Sequence, residues 1–128
     1  MLRYVVLLLA AALASGAHAQ GVDPALTSSS WRAVEIAGTP ATYAETLQFS
    51  GHRVTGKGAC NRFSAALKLT GQSLMIGRPA VTSMLCQGRT DAEKRYLDAL
   101  QAARSYALSG DMLSLHAADG RTVMKLTK

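Results

Sequence analysis

The sequence predicts an α+β domain in which antiparallel hairpins carry one helix and a single disulfide. Apolar and polar residues alternate in short runs separated by glycine-containing turns, as in residues 46–50 and 122–127. One segment, near residues 90–103, has its apolar residues at helical spacing instead. Two cysteines, Cys60 and Cys86, bracket a central hairpin pattern. Together these observations favour a small β-rich fold assembled around a covalent crosslink.

The N-terminus has the features of a secretory signal peptide. Arg3 precedes an unbroken apolar run at residues 5–13, and Ala17 and Ala19 form the small-x-small pattern that signal peptidase cleaves. The run is shorter than the roughly 20 residues that span a bilayer. We therefore predict a signal peptide at 1–19, cleavage after Ala19 and a periplasmic protein. An uncleaved anchor helix is the alternative. No cysteine follows the apolar run, so there is no lipobox.

The charge of the chain is positive but dispersed. The full sequence carries +6, and loss of Arg3 with the leader lowers this by one unit. Nucleic-acid binding surfaces usually combine a clustered basic patch with stacking aromatic residues. Here no run of Lys or Arg exceeds two residues and aromatic residues make up only 5%. We expect no nucleic-acid partner, and peripheral contact with an anionic membrane surface is the remaining electrostatic role.

The mature chain has room for one domain and one core. Small and polar residues at 20–28 predict a flexible N-terminal tether, which leaves residues 29–128 for the domain. Trp31 opens the first strand and is the largest available core anchor. The other predicted strands are 46–50, 53–55, 63–69, 73–76, 80–86, 105–109, 112–116 and 122–127, most of them joined by tight turns.

Gly56 and Gly58 interrupt the strand that precedes Cys60. Glycine weakens strand interiors, so the pair predicts a bulge or a close backbone approach. The spacing and the strand-like flanks do not fit the glycine-rich loop that binds phosphate ahead of a helix.

Residues 90–103 form the predicted helix. Thr90 and Glu93 have the spacing of a capping box, in which the hydroxyl accepts from a free amide and the carboxylate reaches back. The apolar stripe indicates core packing rather than a cofactor site; it consists of Ala92, Tyr96, Leu97, Leu100 and Ala103.

Catalytic and metal-binding patterns are absent from the sequence. The two histidines of the mature chain, His52 and His116, lie in no zinc-binding arrangement, and no nucleophile motif is present. We expect no enzyme activity, cofactor or metal.

Two cysteines in an exported chain predict a Cys60–Cys86 disulfide that contributes on the order of 3–4 kcal/mol to the stability of the fold. The alternative is a thiol-dependent or hydrolytic enzyme that uses Cys60 or Cys86 with one of the histidines.

Asn61, Arg62 and Phe63 directly follow the first cysteine. Asparagine tolerates unusual backbone angles and bonds to nearby backbone groups, so Asn61 is expected to fix the chain beside the disulfide. The functional alternative is that this segment, Asn61 and Arg62 above all, supplies contacts at the mouth of a groove.

These residues also carry a family resemblance. The block at 58–63, Gly-Ala-Cys-Asn-Arg-Phe, and the block at 80–86, Ala-Val-Thr-Ser-Met-Leu-Cys, are followed by a capped helix with Glu93 and Tyr96. Together with the opening Trp31 and the hairpin at 119–120, they resemble the META domain family of HslJ-like bacterial envelope proteins.

The resemblance implies an antiparallel sheet curled into a partly open barrel with one packed helix. It also implies an envelope protein associated with heat shock and stress and without catalytic residues, which binds an apolar or lipid-like ligand or an envelope protein. We expect a monomer. A barrel cavity for such a ligand would be lined by the helix face and by Leu67, Leu69, Leu74 and Ile76. A third possibility is an interaction or inhibitor domain that uses the loop at 77–79.

Overall fold

A computed structural model describes residues 22–128. The predicted signal peptide and its cleavage site lie outside this range. The described chain forms two helices and ten strands in a single sheet. In chain order the elements are α1 (Pro24–Ser28), β1 (Ser30–Ile36), β2 (Thr39–Pro40), β3 (Thr46–Phe49), β4 (Arg53–Lys57), β5 (Arg62–Thr70), β6 (Ser73–Ile76), β7 (Ala80–Val81), α2 (Thr90–Ala102), β8 (Ala103–Ser109), β9 (Met112–Ala117) and β10 (Thr122–Thr127).

Eight of the strands close into an antiparallel barrel. The order around the ring is β1, β3, β4, β5, β6, β8, β9 and β10, and β10 pairs back with β1. The two-residue strands β2 and β7 lie outside the ring, paired with β1 and β5. The predicted α+β class, the curled antiparallel sheet and the single long helix are confirmed. The β1–β10 pairing closes the ring that the resemblance left partly open.

The barrel interior is filled by the inward-facing half of each strand. In β5, for example, Phe63, Ala65 and Leu67 are buried while Arg62 and Lys68 are exposed, which is the two-residue period of a strand with one solvated face. Trp31 is 1% exposed and donates its indole N–H to a backbone oxygen at 3.1 Å, which confirms it as a core anchor.

Helix α2 packs against β10, β1 and β6. It buries Tyr96, Ala99 and Leu100, and the Tyr96 ring meets Phe63 edge-on with ring centroids 5.6 Å apart. Gln101 donates to the carbonyl oxygens of Ile76 and Gly77 at 3.1 and 2.6 Å. The helix is therefore fixed to the sheet by both apolar and polar contacts.

Three local predictions differ from the structure. The strand expected at 80–86 is only the two-residue strand β7, Ala80–Val81. Pro24–Ser28, expected to be part of a flexible tether, form helix α1, because Asp23 accepts a hydrogen bond from the Ala25 amide and Leu26 is fully buried. The expected capping box on α2 is wrong. Arg89 occupies the N-cap position and makes no side-chain capping hydrogen bond, because the Glu93 carboxylate is used elsewhere.

Candidate functional site

The Glu93 carboxylate reaches out of helix α2 to the start of strand β5. One oxygen accepts from the backbone N–H groups of Asn61 at 2.5 Å and Cys60 at 3.2 Å. The other accepts from the side-chain amide of Asn61 at 2.7 Å. A carboxylate that accepts several such bonds makes strong, charge-assisted contacts. Glu93 thus joins α2 to the segment that carries the first cysteine.

The Asn61 side chain continues this network into the segment after β7. Its oxygen accepts from the Met84 N–H at 2.7 Å and from the Thr82 hydroxyl at 2.9 Å. Its NH2 group donates to the Met84 carbonyl at 3.1 Å as well as to Glu93. The amide therefore pairs with Met84 as a neighbouring strand would. We refer to residues 82–88 as the cystine loop.

The Cys60–Cys86 disulfide is the second tether of the cystine loop. The Cα atoms lie 5.7 Å apart, within the usual span of a bridge, and the predicted pairing is confirmed in the structure. Arg89, just after the loop, donates to the Ala59 carbonyl at 3.1 Å and places its guanidinium 4.7 Å from the centre of the Tyr43 ring. The loop is consequently held on both sides of its tip.

The tip of the cystine loop is apolar and faces solvent. Leu85 is 91% exposed and Met84 is 59% exposed, although the Met84 backbone is fully engaged by Asn61. The exposed Arg62 lies beside the loop, since its backbone bonds to Thr82 in both directions, and Lys57 lies opposite it in strand β4.

A groove of about 800 Å³ runs between helix α2 and one end of the barrel. We call it the helix groove. Its apolar surface comes from Ala37, Ala99, Ala102 and Val123, and its charged lining residues are Asp91, Lys94, Arg95, Asp98 and Arg121. One cation and one carboxylate of this lining neutralise each other, because Lys94 pairs with Asp98 at 2.5 Å. That hydrogen bond, and the charge of Asp98, raise the pKa of Lys94.

A second groove, of about 440 Å³, lies over strands β3 to β5, and we call it the sheet groove. Arg62 and Phe63 line it together with Lys57 and Gly56. A Cβ atom on Gly56 would lie 2.1 Å from the Thr46 carbonyl oxygen, so only glycine fits at this close approach between strands. Gly56 therefore permits the predicted close approach of two backbones, here those of β3 and β4. Strand β4 continues through this glycine without interruption.

Buried ionisable groups in the domain have structural partners. Burial, and then the charge of Glu45, raises the pKa of Tyr96 far above its usual range, so the phenol stays protonated and donates to the Thr46 carbonyl at 2.5 Å. Glu45 is 2% exposed and accepts from the Tyr43 amide at 2.6 Å. In residues 22–128 no group of three or more His, Cys, Asp or Glu side chains is arranged to hold a metal ion.

A family model for the META domain matches residues 24–128, which is nearly the whole of the described chain. The chain belongs to the META domain family. No curated protein is significantly similar to it in sequence.

Three solved structures share the fold of this META domain. A protein determined by NMR and a second NMR structure, from Burkholderia xenovorans, are each 22% identical with a TM-score of 0.63. Each match covers 80% of this chain, and it covers 90% of the first of these proteins and 82% of the second. A crystal structure of a DUF4847 family protein from Bacteroides vulgatus is 15% identical, has a TM-score of 0.67, and covers 84% of this chain and 96% of its own. At these identities the likeness shows the fold alone.

The META domain places the three residues that follow Cys60 in different surroundings. Asn61 is 5% exposed and its side chain is bonded inside the protein, whereas Arg62 is exposed and lines the sheet groove. Phe63 also lines that groove, although it is only 5% exposed. The first reading of Asn61, as a residue that fixes the chain beside the disulfide, therefore describes its observed contacts.

The remaining sequence candidates lie apart from the two grooves. Leu67, Leu74 and Ile76, expected to line a barrel cavity, belong to the packed core of the META domain and line neither groove. His116 contacts the Thr122 hydroxyl at 3.2 Å. No helix in the described part of the chain is long and apolar enough to cross a membrane.

Sequence reasoning missed the helix groove and the exposed tip of the cystine loop. The groove residues come from α2, from the turn before β2 and from the start of β10 with the residue before it, and no local pattern brings these segments together. The tip did leave a signal. Met84 and Leu85 are adjacent apolar residues, so a strand with one buried face would have placed one of them outside.

Proposed function

We propose that this META domain is an exported envelope protein that binds a lipid-like ligand with an acidic head group and does not act as an enzyme. The observation that carries the proposal is the helix groove, in which an apolar floor lies beneath a rim containing Lys94, Arg95 and Arg121. Its volume of about 800 Å³ is within the range of small-molecule sites.

The groove is lined by three cations, Lys94, Arg95 and Arg121, and by two carboxylates, Asp91 and Asp98, and this excess of one positive charge favours an acidic head group over a basic one. Lys94 is paired with Asp98, and Arg121 lies 3.9 Å from Asp119 at the exposed turn before β10. Arg95 lines the same groove, and its guanidinium suits bidentate contact with a carboxylate or phosphate. The small side chains of Ala99 and Ala102 leave the space that an acyl chain would occupy.

The chemistry elsewhere in the domain supports a binding role. Both cysteines are in the disulfide, and a bridged sulfur has no thiolate to act as a nucleophile with His52 or His116. The Asn61–Glu93 network joins structural elements and uses its polar atoms for that purpose. The signal peptide predicted at 1–19 supports an envelope location, where lipid-like molecules are available.

A fluorescent long-chain fatty acid tests the proposal by titration. We expect saturable binding to the purified protein and affinity at least about tenfold lower for Ala102→Trp, because the indole fills the groove. Arg95→Glu should weaken binding about three- to tenfold by reversing the charge at the rim. Native mass spectrometry of protein purified after export should show a co-purified species of lipid mass that Ala102→Trp lacks.

Matched variants separate groove effects from general ones. Ala66→Trp places the same bulky residue on the exposed face of β5, and Lys68→Glu makes the same charge change on that strand. Both should bind the fatty acid as the unchanged protein does. Failure of the unchanged protein to bind, or equal binding by Ala102→Trp and Arg95→Glu, would refute the helix groove as the site.

A further inference from the structure

The exposed apolar tip of the cystine loop has no structural explanation in the domain itself. Leu85, at 91% exposure, is the most exposed of the large apolar side chains in residues 22–128, and Met84 beside it is 59% exposed. Isolated surface apolar residues are ordinary. This pair differs because the backbone beneath it is tied down by Asn61 and by the disulfide at Cys86.

The tethers fix the tip in position. Met84 is bonded through both its N–H and its carbonyl to the Asn61 amide, and the Thr82 amide donates to the Arg62 carbonyl at 3.0 Å. A loop already held in its exposed conformation loses little conformational entropy on binding. The fold thus presents two apolar side chains to an external partner at low ordering cost.

The surroundings of the tip are basic. Arg62 is exposed next to the loop, and Lys57 faces it across the β4–β5 pair. Arg89, just after the loop, is engaged by the Ala59 carbonyl and the Tyr43 ring. The neighbouring carboxylate, Glu93, has both of its oxygens engaged by the Asn61 segment. An apolar tip with Arg62 and Lys57 on the adjoining strands matches the chemistry of an anionic lipid surface, with acyl chains beneath acidic head groups.

We propose that the cystine loop inserts Met84 and Leu85 into an anionic bilayer surface while Lys57 and Arg62 contact the acidic head groups. The area of two side chains favours a bilayer over a protein partner, since stable protein interfaces bury about 800 Å² on each side. Access to such a surface rests on the envelope location proposed above. The contact is separate from the helix groove, which lies along α2 and is lined by other residues.

Vesicle binding tests this contact directly. The purified protein is mixed with vesicles of phosphatidylcholine alone or with phosphatidylglycerol added, and the bound fraction is measured by sedimentation. We expect binding to the phosphatidylglycerol vesicles that weakens as salt is raised. The double substitution Met84→Ser and Leu85→Ser should lower the partition coefficient about tenfold or more, and Arg62→Glu about three- to tenfold.

The barrel itself offers a matched control. Met75 is 52% exposed on β6 and pairs with Lys68 on β5, so this pair repeats the apolar and basic chemistry of the tip on a regular strand. Met75→Ser and Lys68→Glu should leave vesicle binding unchanged. Leu85→Trp adds an exposed indole to a protein whose single natural tryptophan is buried, and its emission should shift to the blue when phosphatidylglycerol vesicles are added.

Several outcomes would overturn the contact. These are no binding to phosphatidylglycerol vesicles, equal binding by the double serine variant, or equal losses in the Met75 and Lys68 controls. Capture of a protein that requires Leu85, with no vesicle binding, would assign the tip to a protein partner instead. Fatty-acid titration of the double serine variant keeps the two proposals distinct, because the helix groove should still bind when the loop does not.

Discussion

Exchanging the polar groups of Asn61 and Glu93 tests whether their contact determines the local structure. In Asn61→Asp, one oxygen keeps the bonds from Met84 and Thr82. The other replaces the NH2 group and lies 2.7 Å from a Glu93 oxygen and 3.1 Å from the Met84 carbonyl. Two donor–acceptor contacts therefore become acceptor–acceptor contacts, one of them between two carboxylates.

The expected loss is large for a domain of this size. Each lost hydrogen bond costs about 0.5–1.5 kcal/mol, and unpaired groups or like charges in a buried contact add to that. We expect Asn61→Asp to lower the free energy of unfolding by about 3–5 kcal/mol, against a total of about 5–15 kcal/mol. Glu93→Gln alone sets one NH2 group against another and should cost about 1–3 kcal/mol.

The double substitution decides the matter. With Asp at position 61 and Gln at position 93, the glutamine NH2 can donate to the aspartate oxygen. The glutamine carbonyl still accepts from the backbone N–H groups of residues 60 and 61. The double variant should therefore be more stable than Asn61→Asp alone, with a coupling of about 1–3 kcal/mol. Urea unfolding followed by circular dichroism measures the free energy of unfolding of the four proteins. Thr82→Val removes the hydroxyl that donates to Asn61 and accepts from the Arg62 N–H, and it should cost about 1–2 kcal/mol. Additive losses in the cycle would refute a direct pairing of these two side chains.

Three further predictions concern the tethers and the core. Cys60→Ser and Cys86→Ser should each cost about 3.5 kcal/mol by the chain-entropy relation for 26 residues, and by similar amounts in urea unfolding; unequal losses would mean that the cysteines act separately. Gly56→Ala should cost more than about 2 kcal/mol, because its Cβ would lie 2.1 Å from a backbone oxygen, whereas Gly51→Ala, with open space around it, should stay within about 0.5 kcal/mol. Tyr96 has a pKa raised by burial, so stability should fall as pH rises above about 10, where the unfolded phenol ionises and the folded one does not. Tyr96→Phe should remove that fall in alkaline urea titrations; an unchanged alkaline loss would assign it to other groups.

Most strands of the domain could be predicted from the sequence because their signals are local. Alternating burial and a glycine in the turn identify β5, β6, β8 and β9, and the observed bounds differ from the predicted ones by at most two residues. Gly71 and Gly110 adopt positive φ in the two hairpin turns, at 57° each, which is the conformation that favours glycine there. Such features require no knowledge of distant residues.

The errors arise where a residue bonds to a distant partner in place of a local one. Glu93 has the spacing of a capping residue, yet its acceptors serve Cys60 and Asn61, more than 30 positions earlier. The predicted strand at 80–86 ends at Val81, because Met84 pairs with a side-chain amide and not with a strand. Closure of the ring between β1 and β10 likewise leaves no local signal.

The same contacts explain why the family motif does not itself identify a ligand. Asn61 and Glu93 have hydrogen-bonding chemistry suited to a binding site, but the fold uses those atoms to hold the cystine loop against α2. The two surfaces proposed for recognition, the helix groove and the tip at Leu85, are instead built from side chains such as alanine, lysine, arginine, leucine and methionine. The groove residues Arg95 and Ala102 lie outside the two motif blocks, so they can change while the motif and the barrel stay the same. Met84 and Leu85 lie within the second block, but their side chains are exposed and only the Met84 backbone is bonded to Asn61. The variants that test function therefore alter exposed or groove-lining side chains, and the variants that test folding alter the buried network.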